Sequence, residues 1–294
     1  MDRLSRVLLF AGFGCFALSF LLSGLYPWMI SGGAEPEATL LQISARVSPD
    51  FKDLKERYPV SFAAAFPSAA QALTGRELAG VATDDPRRAA SDEAWHAAYA
   101  TALQRGRDAY ISDGCWHCHS QYVRPVANED IRFGPPLPAA NDNNFLQRPM
   151  LWGTRRVGPD LTHEGGLRSD DWHVAHLWDP QSTSPGSVMP RYTWFFREGW
   201  QVRRRIAPDA AEREGLDPQT SYAIPGVHDS EADAQVALQH HAASLPPGLA
   251  AEKGRLFVDR GREPDGRGLS LVAYLQWLGT WQPPVPTAEK GGTP

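Results

Sequence analysis

Cysteine is scarce in this chain, with three residues in 294. Three thiols cannot build a framework of several disulfides. A zinc site wants further ligands at ligand spacing, and no second C-x-x-C accompanies the one at Cys115 and Cys118. Methionine is almost as rare, at four residues. A surplus of positive charge is missing too. The net charge is −5 and the pI is near 6.0, without the basic footprint of a phosphate-binding domain, which argues against nucleic acid as a partner. There is no phosphate-binding glycine loop, no Ser/His/Asp arrangement and no catalytic pair of carboxylates. After residue 30 no apolar run approaches the length that spans a membrane.

What is present suits a packed protein with irregular connections. Apolar residues make up 42% and aromatic residues 10%, enough for a core. Gly and Pro, at 26 and 25, predict long loops between modest helices. Residues 7–30, VLLFAGFGCFALSFLLSGLYPWMI, carry no charge, and roughly 20 apolar residues suffice to cross a bilayer as a helix. Cys15 lies in this run as a small buried or lipid-facing side chain. Tyr26 and Trp28 stand at its far end, where amphipathic rings favour the interface. Arg3 and Arg6 precede it and hold the N-terminus in the cytoplasm by the positive-inside tendency. The run exceeds the roughly 7–15 residues of a signal-peptide core, so it reads as an uncleaved single-pass anchor with everything after it outside.

Four helices are expected beyond the anchor. The first starts near Ser91 and runs to about Ile111, with Leu103, Gly106, Arg107 and Tyr110 on one face. A second covers 170–178, capped by Ser169 and stopped before Pro180. A third covers 230–245, with Ala234, Leu238, His241 and Leu245 as its stripe. The last covers 269–279, with Leu271, Tyr274, Leu275 and Leu278 inward, and ends before prolines 283, 284 and 286. No strand pattern of comparable strength appears, so the expected fold class is all-α. His173 and His176 read as packing or surface histidines, and Arg203–Arg205 as a solvated basic run.

The sequence CWHCH, residues 115–119, carries the chemistry. A thioredoxin-type pair wants a βαβ setting, which is absent. A disulfide across two residues leaves His119 unexplained. Covalent haem attachment uses all three residues: Cys115 and Cys118 bond the porphyrin, and His119 ligates its iron from one side. A methionine opposite raises the potential and closes the site, as electron transfer requires. Met1 and Met29 belong to the anchor region. Met150 reads as core filling, and Met189, in a Pro/Gly/Ser loop, is the expected sixth ligand. Pro159 is suited to present the carbonyl that accepts the second imidazole N–H. Arg155 and Arg156 are candidates to pair with haem propionates, and Trp152 to pack at the haem edge.

These motifs resemble a known family. GRDAY (106–110) and LVAYLQWLG (271–279) look like the crossed terminal helices of class I cytochromes c, in which Gly106, Tyr110 and Tyr274 match the glycine and the aromatic residues at the crossing. YISDGCWHCHSQYVRP, LWGTRRVGPDL, SDDWHVAHLWDP and SVMPRYTWF, in this order behind one anchor, resemble the membrane-anchored monohaem subunit of cbb3-type cytochrome c oxidases, called FixO or subunit II. The resemblance implies one haem c, held by Cys115, Cys118, His119 and Met189, which receives electrons from a further cytochrome c subunit and passes them to the haem–copper catalytic subunit. It implies no oxygen reduction in this chain, and a haem domain on the periplasmic side of the cytoplasmic membrane. The expected organisation is a cytoplasmic N-terminus at 1–6, the anchor at 7–30, an extracytoplasmic spacer at 31–90, a cytochrome c domain at 91–285 with an insertion at about 197–267, and a tail at 286–294. A free-standing anchored electron carrier is the alternative function. A sensor with five-coordinate haem is disfavoured by Met189.

Overall fold

The computed structural model describes residues 3–30, 38–126, 128–137, 144–217 and 219–280. The tail and prolines 283, 284 and 286 lie outside them. The chain forms two units, Met1–Ala38 and Thr39–Pro294. The first is helical over Arg3–Phe20, passes through a π-helical turn at Leu21–Leu25 and resumes over Tyr26–Ile30. Arg3–Met29, with a mean hydropathy of 2.1, is long and apolar enough to cross a membrane, and among the described residues it is the one helix that is.

In the second unit, helices α1 (Pro49–Arg57), α2 (Pro59–Ala65) and α3 (Pro67–Gln71) each open with proline at the first helical position, where the missing N–H costs nothing. They fold the later part of the stretch expected to be a spacer onto helix α4 (Pro86–Ser112). Phe51, Phe62 and Phe66 meet Trp95 and Tyr99 of α4 in a cluster with ring centroids 5.1–6.0 Å apart. All five rings are buried.

Helix α4 begins one turn or more before the expected Ser91. Asp85 caps it, accepting a hydrogen bond from the Arg87 amide at 2.8 Å, and Pro86 takes the first position. Ser91 is buried inside the helix, where its Oγ accepts from the Leu73 amide at 3.1 Å. The expected face is inward, since Leu103, Gly106, Arg107 and Tyr110 are all buried. The Arg107 guanidinium donates to the carbonyls of Leu146 and Arg148, both at 2.7 Å, so a buried charge is satisfied by backbone oxygen.

After α4 come the single turn α5 (Cys115–Cys118), helix α6 (Asp170–Trp178), which Ser169 caps through the Trp172 amide, and finally helix α8 (Gly266–Trp277), capped by Asp265. Helices α4 and α8 cross at Gly106. A Cβ there would stand 2.6 Å from Tyr274 Cβ and nearer still to the Ser270 carbonyl oxygen. The Tyr110 and Tyr274 rings pack at 5.8 Å beside the crossing.

The all-α expectation is corrected within residues 196–264. The fold is mostly helical, with a small antiparallel sheet of order β2–β1–β3 formed by β1 (Phe196–Arg205), β2 (Ser221–His228) and β3 (Leu256–Pro264). Helix α7 (Glu231–Ser244) lies between β2 and β3 in sequence and packs on the sheet, burying Ala234. The strands lack a clean apolar alternation. They are held by an uninterrupted β1–β3 ladder from Phe196↔Pro264 to Arg204↔Leu256, so pairing outweighs side-chain pattern.

Candidate functional site

Asp113 ends α4, and Gly114, at φ +74°, turns the chain in the left-handed region that glycine adopts at least cost. The turn places Cys115 and Cys118 on one wall of a cavity of about 430 Å³, with His119 and Pro159 beside them, within the usual size of a cofactor pocket. Tyr110, Leu271 and Leu275 also line it, and the loop from Ser184 to Pro190 brings in Met189. Met150 is not among the lining residues.

Both thiols are free, Cys115 buried and Cys118 half-buried. Burial, assisted by the charge of Asp113, pushes the Cys115 thiol up to about 12. A thiol so protonated is a poor redox nucleophile. Among the described residues no group of three His, Cys, Asp or Glu side chains forms a metal cluster.

His119 Nδ1 lies 3.0 Å from the Pro159 carbonyl oxygen. Burial lowers the imidazole's basicity against the opposing effect of that hydrogen bond, which favours the neutral ring. In that ring Nδ1 carries the proton that it donates to Pro159, and Nε2 keeps a lone pair for ligation. The Gly158 amide donates to the Cys118 carbonyl at 3.1 Å. A Cβ on Gly158 would stand 2.6 Å from His119 Nδ1, so only glycine lets this loop pass against the ring. Two free thiols on one turn, a neutral imidazole held by one nitrogen and a thioether in the same cavity fit a covalent haem.

Three residues singled out in the sequence lie away from the cavity. Trp152 is exposed and stacks on Tyr122 at 5.5 Å. Arg155 is exposed, its amide donating to the His117 carbonyl at 3.0 Å. Arg156 is spent on an internal network: it donates to Ser120 Oγ at 2.9 Å, to the Tyr122 carbonyl and to Glu129, with Asp160 at 3.4 Å. The arginine that lines the cavity is Arg168, 4.3 Å over the Trp172 ring and 3.7 Å from Glu164. Glu164, His173 and Tyr192 line it as well. Burial lowers His173 to about 4, aided by the charge of Arg168, and His173 Nε2 has no hydrogen-bond partner among the described residues. The only sequence signal for His173 and His176 was their three-residue spacing, and both line the cavity on α6.

The Arg156 network has a pH signature. Hydrogen bonding from Arg156, ahead of the contribution of Arg124, holds the Glu129 carboxyl down to about 2. A carboxyl depressed in the folded state contributes stability above its ordinary range, and that contribution is lost as pH falls through the folded value. Arg156→Gln is expected to lower the melting temperature at pH 7 and to flatten its decline between about pH 4.5 and 2, as followed by thermal melts across that range. Parallel pH curves for the two proteins would show that the pair contributes nothing.

The fold and the cavity define a class, the cytochromes c that hold covalent haem for electron transfer. Residues 88–281 match the family described as cytochrome c oxidase, mono-heme subunit/FixO, and the chain belongs to that family. No curated protein matches it. It is accordingly an oxidase subunit with one haem c, transferring electrons to the catalytic subunit.

Proposed function

We propose that Cys115 and Cys118 tether the haem as thioethers, and that His119 and Met189 ligate its iron from opposite sides. When bound, the haem supplies a single reversible one-electron centre. The chain's own residues do the rest. The Pro159 carbonyl fixes the tautomer and plane of His119, and Gly158 leaves the ring no space to turn. Leu271 and Leu275 make part of the cavity wall apolar, which excludes water and favours a high potential. Arg168 takes the role of propionate partner, because it lines the cavity whereas Arg155 and Arg156 do not. The observation that carries this reading is the joint placement of His119, its Pro159 hydrogen bond and Met189 around one cavity.

The same reading assigns Arg3–Met29 as a single-pass anchor in the cytoplasmic membrane, with the haem domain on the periplasmic side. The donor is a further cytochrome c subunit, the acceptor is the haem–copper subunit, and lipid surrounds the anchor. Affinity purification of the tagged chain from its native membrane in mild detergent tests this, with haem and copper analysis of the product. Haem b and copper are expected to co-purify with haem c. Recovery of haem c alone, with oxygen reduction left behind, points instead to an anchored carrier.

A further inference from the structure

The sheet carries a second concavity, of about 400 Å³, which shares no lining residue with the cavity of Cys115. Four arginines line it: Arg57 of α1, Arg203 of β1, and Arg260 and Arg262 of β3. Asp171 is the one carboxylate among the lining residues. It is already engaged, paired with Arg57 and accepting a hydrogen bond from Tyr58 Oη at 3.1 Å. Arg203, Arg260 and Arg262 have no carboxylate within 4.0 Å among the described residues. The cleft therefore concentrates positive charge that the fold does not neutralise.

The guanidiniums are positioned rather than loose. Arg260 stands opposite Trp200 in the ladder and lies 4.3 Å over its ring. Arg262 lies 3.9 Å over the ring of Trp178. Stacking holds a planar guanidinium by its face and leaves its edge N–H groups available. Arg203 is held by Ser221, donating from Nε to Oγ at 3.0 Å and from Nη2 to the carbonyl oxygen at 3.2 Å. Arg262 also has its basicity lowered, first by burial and further by the charge of Arg203, with Glu198 and Asp179 opposing from longer range. Like charges have been brought together at a cost that an anion would relieve.

We propose that this cleft binds a phosphate-bearing anion through Arg203, Arg260 and Arg262. A lone carboxylate is satisfied by one guanidinium fork, whereas a phosphate presents more acceptor oxygens and up to two charges, matching several forks that converge. A concave site of this volume suits a small charged group better than a flat protein face. The phosphate can come from a soluble molecule or from a lipid headgroup.

Calorimetric titration of the full-length haem-loaded chain in detergent distinguishes the sources. One probe is pyrophosphate. The other is phosphatidylglycerol doped into the micelles, compared with phosphatidylcholine. Each is run on the native protein and on Arg203→Gln/Arg262→Gln, with Arg260→Gln alone as the substitute should the double variant not fold. The native protein is expected to bind at least one probe at least tenfold more tightly than a variant of unchanged haem spectrum and melting temperature. Binding of pyrophosphate alone identifies a soluble phosphate, and binding of phosphatidylglycerol over phosphatidylcholine identifies a headgroup. Equal binding by native and variant proteins, or no binding of either probe, overturns the proposal. So does a cleft whose substitution weakens only the hold on other oxidase subunits, because that makes it a docking surface for acidic protein.

Discussion

Met189→Ala is expected to yield a protein that still carries covalent haem, with Cys115 and Cys118 untouched, but whose visible spectrum no longer reports methionine ligation and whose reduction potential falls on the order of 100 mV. Axial ligands command roughly 0.8 V of haem potential, and thioether sulfur opposite imidazole lies on the high side of that range. For a one-electron couple about 59 mV is a tenfold change in equilibrium constant, so the centre would hold its electron against the donor far less readily. Oxygen consumption by the assembled oxidase is expected to drop at least tenfold. Met150→Ala is the control, since Met150 does not line the cavity. If Met189→Ala left the axial spectrum unchanged, the ligand would have to be sought among other cavity residues, with His176 next in line.

The second large effect lies at the crossing of α4 and α8. Gly106→Ala sets two terms against each other. Replacing glycine within a helix gains about 1 kcal/mol from backbone entropy and propensity. The new methyl must occupy space 2.6 Å from Tyr274 Cβ, against a backbone carbonyl at Ser270 that cannot rotate away. Overpacking of this kind costs about 1–3 kcal/mol, and a clash with two rigid neighbours belongs at the upper end. The net loss is about 2 kcal/mol. At roughly 2–4 °C per kcal/mol for a domain this large, the melting temperature should fall by about 4–8 °C by circular dichroism. A rise would mean that the helices separate without penalty.

The site was legible because its chemistry is local. Cys115, Cys118 and His119 stand within five residues, so their spacing alone reports a joint role. Pro159 and Met189 could be named because few residue types can present a free carbonyl or a thioether, and only four methionines competed. Arg168 was missed for the opposite reason: one arginine among many carries no local mark, and the folding of α6 decides which one meets the cavity. The aromatic cluster escaped notice because α1, α2 and α3 are too short to display a helical period. Tyr58 and Phe66, each preceding a proline, leave the helical region at ψ 57° and 64°, so the stripe is broken into pieces of one or two residues. The sheet was hidden because its longest strand reads FREGWQVRRR, a polar sequence whose stability lies in backbone pairing across residues far apart in the chain.

The fit of Gly158 against His119 has a consequence for the speed of electron transfer. An imidazole that donates from Nδ1 to a fixed carbonyl, with backbone packed on its ring, has one orientation to occupy. When the charge at the centre changes by one, little of this wall has to move, because its dipoles already stand where either state leaves them. A small nuclear rearrangement lets an electron cross with a small driving force, so the oxidase can feed its catalytic subunit without dissipating the potential difference on the way.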